Sequence, residues 1–170
     1  LEIVVPSYYG IYVFNYANNV LSPIWNNSHG KVHGSVVIYD LDKDNKYELI
    51  YVTADIANDC DRTCYNRLYV VDALTGTVEN GFPVNTGVES QTTPAVGDID
   101  GDGDAEIVIS ARNIGASGPL AYPLGKILCY EKNGVICNGA WPFDENGKLK
   151  TEHVSPDIFD INGDKKRDII

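Results

Sequence analysis

Residues 94–109 read PAVGDIDGDGDAEIVI, and the centre of this stretch is a nine-residue acidic loop at 98–106. Carboxylates occupy loop positions one, three, five, seven and nine, and glycines occupy positions four and six. Like charges about 4 Å apart repel by roughly 1 kcal/mol in bulk water, whereas Ca²⁺ is bound by about six to eight oxygen atoms. Glycine also permits the positive φ angles that wrap a backbone around an ion. The stretch therefore predicts a calcium-binding loop flanked by short apolar strands.

The acidic loop occurs twice more, at 40–48 (DLDKDNKYE) and at 160–168 (DINGDKKRD). Each copy has oxygen-bearing side chains at positions one, three, five and nine, and apolar runs on both sides. The three loops begin at Asp40, Asp98 and Asp160, which are 58 and then 62 residues apart. Three copies in register argue against ordinary acidic turns. An EF-hand loop has a glutamate at position twelve and a helix on each side. The middle loop has Ile109 at position twelve, which excludes an EF-hand.

A hairpin pattern follows each loop or its expected position, at residues 11–25, 68–83 and 127–142. Each pattern is an apolar run, a turn rich in Gly or Asn, and a second run. A unit therefore reads strand, acidic loop, strand, variable loop, strand, turn, strand. Four antiparallel strands per unit predict an all-β fold of β-propeller blades. We divide the chain into repeat units 1–46, 47–104 and 105–166, with a further repeat starting at 167–170, and expect about three blades of a larger propeller of about six to eight.

The charge and hydropathy of the chain argue against two classes of partner, nucleic acids and a spanned membrane. The chain has 170 residues, 24 acids against 13 bases, and a net charge of −11. It has no basic run beyond residues 165–167, so nucleic acid is not expected as a partner. No apolar run reaches the ~18 residues that a membrane span requires.

The four cysteines form two close pairs in sequence, Cys60 with Cys64 and Cys129 with Cys137. Two local disulfides, free buried thiols and a metal site are the alternatives. The spacing is poor for zinc, and the second pair flanks a hairpin turn. We favour two disulfides, which indicate an oxidising compartment.

Loop, flanking strands and period together resemble the FG-GAP and VCBS repeats, which build the calcium-binding β-propellers of integrin α-subunits and of secreted microbial proteins. Their loop pattern is D-x-D-G-D-G-x-x-D, and the endings Gly81-Phe82-Pro83 and Gly139-Ala140-Trp141-Pro142 are similar to VCBS-type repeats. The resemblance implies up to three Ca²⁺ ions, bound by side chains at positions one, three, five and nine and by the backbone carbonyl at seven. The implied ligands are Asp40, Asp42, Asp44, Glu48 and the Lys46 carbonyl; Asp98, Asp100, Asp102, Glu106 and the Asp104 carbonyl; and Asp160, Asn162, Asp164, Asp168 and the Lys166 carbonyl. The first loop departs from both glycines with Lys43 and Asn45, and the third has Lys165 at position six.

The resemblance implies a non-enzymatic module, extracellular or on the cell surface, whose blade loops recognise a protein or glycan in adhesion or surface assembly. The alternative is the propeller part of a secreted carbohydrate-active enzyme, such as a polysaccharide lyase. Candidate catalytic groups are few: His29 and His33 with Lys31 could form a base or an anion site, but we interpret these histidines as exposed loop residues. We expect the chain to be a slice of a longer array. Because both ends share one phase of the repeat, head-to-tail self-assembly is a further possibility.

Overall fold

A computed structural model of the chain describes residues 1–54, 66–87, 90–113, 124–144, 149, 151, 154–164 and 166–170. These residues form twelve β-strands and no helix, which confirms the all-β prediction. Within them, therefore, no helix is long and apolar enough to cross a membrane. The strands are β1 (Glu2–Pro6), β2 (Ile11–Ala17), β3 (Val20–Asn26), β4 (Val37–Tyr39), β5 (Glu48–Thr53), β6 (Arg67–Asp72), β7 (Val84–Asn85), β8 (Ala95–Gly97), β9 (Glu106–Asn113), β10 (Leu124–Tyr130), β11 (Ile158–Phe159) and β12 (Asp168–Ile169).

The strands pair in chain order into four open antiparallel sheets. The first sheet is β1-β2-β3, the second is β4-β5-β6-β7, the third is β8-β9-β10, and the fourth is β11-β12. The second sheet has the four strands expected of one blade. In the third, isolated bridges from Ile127 to Phe143 and from Tyr130 to Ile136 continue the pattern beyond β10. Each acidic loop joins the first two strands of a sheet, so the sheets are out of phase with our repeat units. Those units and the number of blades stay predictions.

Hairpin turns form where the sequence predicts them. In the first sheet, Asn18 and Asn19 have φ angles of 54° and 61° between the paired residues Ala17 and Val20. Two central residues with positive φ suit a two-residue hairpin, and asparagine tolerates that conformation better than most residues. In the third sheet, the Cys137 N–H donates to the Cys129 carbonyl at 3.0 Å.

Cys129 and Cys137 form a disulfide across this turn, with their Cα atoms 5.3 Å apart. Both side chains are buried, so the bond lies in the core. The corresponding bond in the second sheet runs from the Glu79 N–H to the Val70 carbonyl at 2.9 Å. Cys129 and Cys137 therefore occupy the places that Val70 and Glu79 take in the second sheet. Cys60 and Cys64 lie outside the described residues.

The sheets stack face to face, and the apolar clusters lie between them. Alternate residues of β5 face opposite neighbours, because successive side chains of a strand point to opposite faces. Leu49 and Tyr51 pack with residues of the first sheet, whereas Ile50 and Val52 pack with the third. A smaller cluster joins the third and fourth sheets. Burial on both faces explains why residues 49–52 of β5 form a continuous apolar run.

Candidate metal centres

The carboxylate at position nine closes each acidic loop. Glu48 and Glu106 begin β5 and β9 and are only 5% and 1% exposed. In all three loops this carboxylate accepts a hydrogen bond from the backbone N–H at position two: Leu41 to Glu48 at 2.7 Å, Ile99 to Glu106 at 2.8 Å, and Ile161 to Asp168 at 3.0 Å. The buried strand thus fixes one carboxylate oxygen on the loop backbone.

Backbone N–H groups hold the earlier carboxylates of the second loop. Asp98 accepts bonds from Gly101 at 2.7 Å and Gly103 at 3.0 Å. Asp100 accepts from Asp102 at 3.1 Å, and Asp102 accepts from Asp104 at 2.8 Å. Short side chains that bond to the backbone two or more residues ahead are typical of Asx turns. These bonds curl the loop backbone around its first three aspartates.

The other two loops repeat this pattern. The first has bonds from Asn45 to Asp40 at 3.1 Å, from Asp44 to Asp42 at 3.1 Å, and from Lys46 to Asp44 at 2.8 Å. The third has bonds from Gly163 to Asp160 at 2.6 Å, from Asp164 to Asn162 at 2.8 Å, and from Lys166 to Asp164 at 2.8 Å. These hydrogen bonds show that the described residues of the three stretches are folded in a similar way despite their sequence differences.

The curl requires a left-handed backbone at positions four and six. Gly101 and Gly103 have φ angles of 82° and 95°, and a Cβ added at either would meet nothing within 4 Å. These glycines therefore serve the backbone conformation and not a close contact. The first loop takes the same conformation with Lys43 at 64° and Asn45 at 66°. Departure from the glycine pattern thus leaves the loop geometry intact.

Two groups of three carboxylates converge among the described residues. In each group, one oxygen from each carboxylate lies within 4.8 Å of the others. The groups are Asp40, Asp42 and Glu48 in the first loop, and Asp98, Asp100 and Glu106 in the second. Both combine positions one, three and nine, and neither includes the position-five carboxylate, Asp44 or Asp102. In the third loop position three is an amide, Asn162.

One oxygen in each group is buried without a hydrogen-bond partner. These atoms are Asp40 Oδ1 and Glu106 Oε1. A buried polar atom left unpaired costs about 1–3 kcal/mol, and more when it is charged. Burial also raises the pKa values of Glu48 and Glu106, with a smaller contribution from nearby aspartates. A hard cation bound at each group would offset both costs, because it supplies a partner for the unpaired oxygen and neutralises the clustered charge.

Lysines near the loops bind carboxylates in ways that sequence reasoning missed. Lys46 Nζ bonds to Asp44 within the first loop and lowers the pKa of that carboxyl. Lys43 and Lys132 both pair with Asp104. Charge pattern alone marks these lysines only as departures from the repeat. Of these three lysines, only Lys43 reaches a neighbouring sheet, so its partner depends on how the second and third sheets are placed.

His29 departs from the exposed-loop interpretation. Its ring stacks on Tyr69 with centroids 4.3 Å apart, and Nδ1 lies 2.8 Å from the Tyr51 hydroxyl. Burial lowers the pKa of His29. Lys31 does not join it, since its Nζ lies over the Tyr8 ring, 4.7 Å from the centroid. His33 is exposed, as expected. The interpretation was wrong for His29 because the tyrosines that cover it come from β5 and β6, distant in sequence.

Comparison with known families gives one finding. A family model described as FG-GAP repeat matches residues 90–118, a range that contains β8, the second acidic loop and β9. Neither the comparison with curated proteins nor the comparison with solved structures found a match. The match falls on the loop whose sequence fits the pattern best. The chain therefore carries an FG-GAP-type repeat within residues 90–118.

Proposed function

We propose that the chain is a calcium-stabilised β-propeller module, extracellular or at the cell surface, that serves recognition and not catalysis. The observation that carries this proposal is the pair of converging carboxylate groups with buried, unpartnered oxygens at Asp40 and Glu106. In an acidic turn that binds no ion, the carboxylate oxygens can stay exposed and be solvated by water. Buried carboxylate oxygens without a hydrogen-bond partner are instead expected where a cation binds. A cation at each loop offsets the repulsion.

Calcium would be structural in this proposal. Each loop joins two paired strands, and in the second loop Gly97 pairs with Glu106 across its base. An ion bound by Asp98, Asp100 and Glu106 would pin those strands together, with Asp102 and the Asp104 carbonyl completing the set. The first loop would use Asp40, Asp42, Asp44, Glu48 and the Lys46 carbonyl in the same way.

The third loop would bind more weakly. Its side-chain ligands would be Asp160, Asn162, Asp164 and Asp168, with the Lys166 carbonyl. An amide at position three removes one negative charge from the set, and ligand charge helps to set calcium affinity. We therefore propose up to three Ca²⁺ ions, with the third site filling last.

The surroundings of the sites support the wider proposal. The disulfide of Cys129 with Cys137 is typical of proteins in oxidising compartments. The face-to-face stack of sheets is the packing that repeated blades require. We propose that the repeat units are blades of a larger propeller, and that variable loops between strands contact a protein or glycan. We also propose that copies can join head to tail through their end sheets.

A thermal melt tests the calcium sites. The oxidised protein is heated in millimolar Ca²⁺ and in chelator at equal ionic strength, with Asp100→Ala as the variant. A site filled at 100 times its dissociation constant adds about 2.7 kcal/mol, which corresponds to a Tm rise of at least about 5 °C for a chain of this size. We expect Asp100→Ala to lower Tm in calcium and not in chelator. Equal melting in both solutions would contradict calcium binding.

A further inference from the structure

One lysine physically connects the first and second acidic loops. Lys43, at position four of the first loop, donates from Nζ to the backbone carbonyl of Gly103 in the second loop. The same ammonium pairs with Asp104 Oδ1 at 3.1 Å. Lys43 and Asp104 are 61 residues apart in sequence, so this contact exists only because the second and third sheets stack.

Asp104 is held from its other side as well. Lys132, in the turn after β10, pairs with Asp104 Oδ2 at 2.7 Å. The two lysines together lower the pKa of Asp104. Asp104 stands at position seven, where the proposed calcium ligand is the backbone carbonyl of the residue. Fixing its side chain therefore also restricts the peptide that carries this ligand.

The backbone at Lys43 adds a second, independent observation. Its φ of 64° lies in the left-handed region, which lysine adopts at an energetic cost that glycine does not bear. At the matching position of the second loop, Gly101, a Cβ would point into open space. A side chain at position four is thus free to extend to the neighbouring loop. The first loop accepts the strained conformation and gains this contact.

We propose that Lys43 couples the first and second loops, so that a cation bound in one raises the affinity of the other. This inference rests on the proposed calcium function. Lys43 lies between two proposed ligands, Asp42 and Asp44, so an ion in the first loop orders the backbone from which the lysine extends. The ordered lysine then holds Gly103 and Asp104 in place for the second ion. Coupling between binding sites is reciprocal, so the effect acts in both directions.

The strength of the ion pair between Lys43 and Asp104 limits how far one site can change the calcium affinity of the other. Lys43 and Asp104 are both partly exposed, and exposed ion pairs contribute only modestly. We expect the coupling to change affinity about two- to five-fold. The second and third loops provide an internal comparison, because position four is Gly101 and position seven is the cation Lys166. No equivalent ion pair can form there, and no such coupling is expected.

The test is a calcium titration of the full 170-residue chain, followed by ¹H–¹⁵N NMR. The amides of Gly101 and Gly103 report the second loop, that of Asn45 reports the first, and that of Gly163 reports the third. Asp42→Ala disables the first loop. In the wild-type background this variant should weaken calcium binding at the second loop about two- to five-fold, while the third loop keeps its affinity.

Lys43→Gly supplies the decisive second background. Glycine restores the repeat pattern and relieves the positive φ, so the variant should fold. With Lys43→Gly present, adding Asp42→Ala should leave the second loop unchanged. Repulsion between Lys43 and the second ion is the same with and without Asp42→Ala, so it cancels within the wild-type background. Repulsion between the two ions is common to both backgrounds, so it cancels to first order in the difference between them. Lys132→Ala is the matched control: it removes the other ion pair of Asp104 and should preserve the coupling.

The outcomes separate the two proposals. Calcium binding at the second loop that is insensitive to Asp42→Ala would overturn the coupling and leave the calcium function standing. A dependence that persists in Lys43→Gly would also overturn it, since another contact would then transmit the effect. No calcium-induced shift at any of the three loops would overturn the calcium function itself, and the coupling with it.

Discussion

Glu106 shows at the scale of one residue how a loop carboxylate can be costly without an ion. One oxygen accepts the Ile99 N–H at 2.8 Å, and the other is buried without a partner. Glu106→Gln keeps an acceptor for Ile99 and removes the charge. We expect Tm in chelator to be unchanged or slightly raised, because repulsion from Asp98 and Asp100 falls. In calcium the variant should lose about 1–3 kcal/mol, or roughly 2–12 °C in Tm, measured by circular dichroism.

Glu2→Gln is the matched control for this prediction. Glu2 corresponds to position nine in the first sheet, but its side chain is exposed. This variant should melt like the wild type in both solutions. If Glu106→Gln lowered Tm equally with and without calcium, the glutamate would be needed for the fold alone, and its role as a ligand would be wrong.

At the scale of one element, the first loop contains its own competitor for calcium. Lys46 bonds through Nζ to Asp44, a proposed ligand, and raises the cost of turning that carboxylate toward an ion. Lys46→Ala removes this competitor and one positive charge, while the backbone carbonyl at position seven remains. We expect calcium affinity at the first loop to rise about two- to ten-fold, measured by NMR at the Asn45 amide.

Lys31→Ala controls for a general loss of positive charge. Lys31 pairs with Ala54, which lies just after β5, at the end of that strand away from the acidic loop. The Lys31→Ala variant should leave the calcium affinity of the first loop unchanged. Weaker binding in Lys46→Ala would contradict the prediction, and would mean that the lysine orders Asp44 for the ion.

The elements that sequence predicts well are those whose signal is local. Each acidic loop is nine residues long, and its Asx-type hydrogen bonds connect residues two to five apart, so its conformation is written in its own sequence. The hairpin of Cys129 with Cys137 is equally local. By contrast, the partners of His29 and Lys43 lie 22 and 61 residues away. Such contacts depend on the placement of whole sheets, which periodicity does not give.

At the scale of the whole molecule, the stacking order follows from alternation along the strands. In the strand that begins at loop position nine, the first and third residues after that position face one neighbouring sheet. The second and fourth residues face the other neighbouring sheet. Leu49 and Tyr51 thus contact the first sheet, and Ile50 contacts the third. The continuous apolar run at residues 49–52 indicates that β5 is buried on both faces. It does not show which sheets cover it.

The outer face of the first sheet breaks this pattern of burial. Ile3 and Val5 match Leu49 and Tyr51 in register, yet they are 37% and 40% exposed against 1% and 0%. They pair with Phe14 and Tyr12, whose rings stack with centroids 6.4 Å apart, so the face is continuous and apolar. Exposed apolar patches of this kind are uncommon on soluble monomers. We expect the 170-residue chain to self-associate through this face, with sedimentation velocity showing larger species as concentration rises.

Val5→Lys tests that expectation, because a charge at the centre of the face opposes burial against a second copy. The variant should sediment as a monomer of 18.6 kDa at concentrations where the wild type associates. Ile38→Lys is the control, since Ile38 is also exposed but lies on the second sheet. It should associate like the wild type. A wild-type chain that stays monomeric throughout, or equal loss of association in both variants, would contradict a role for this face.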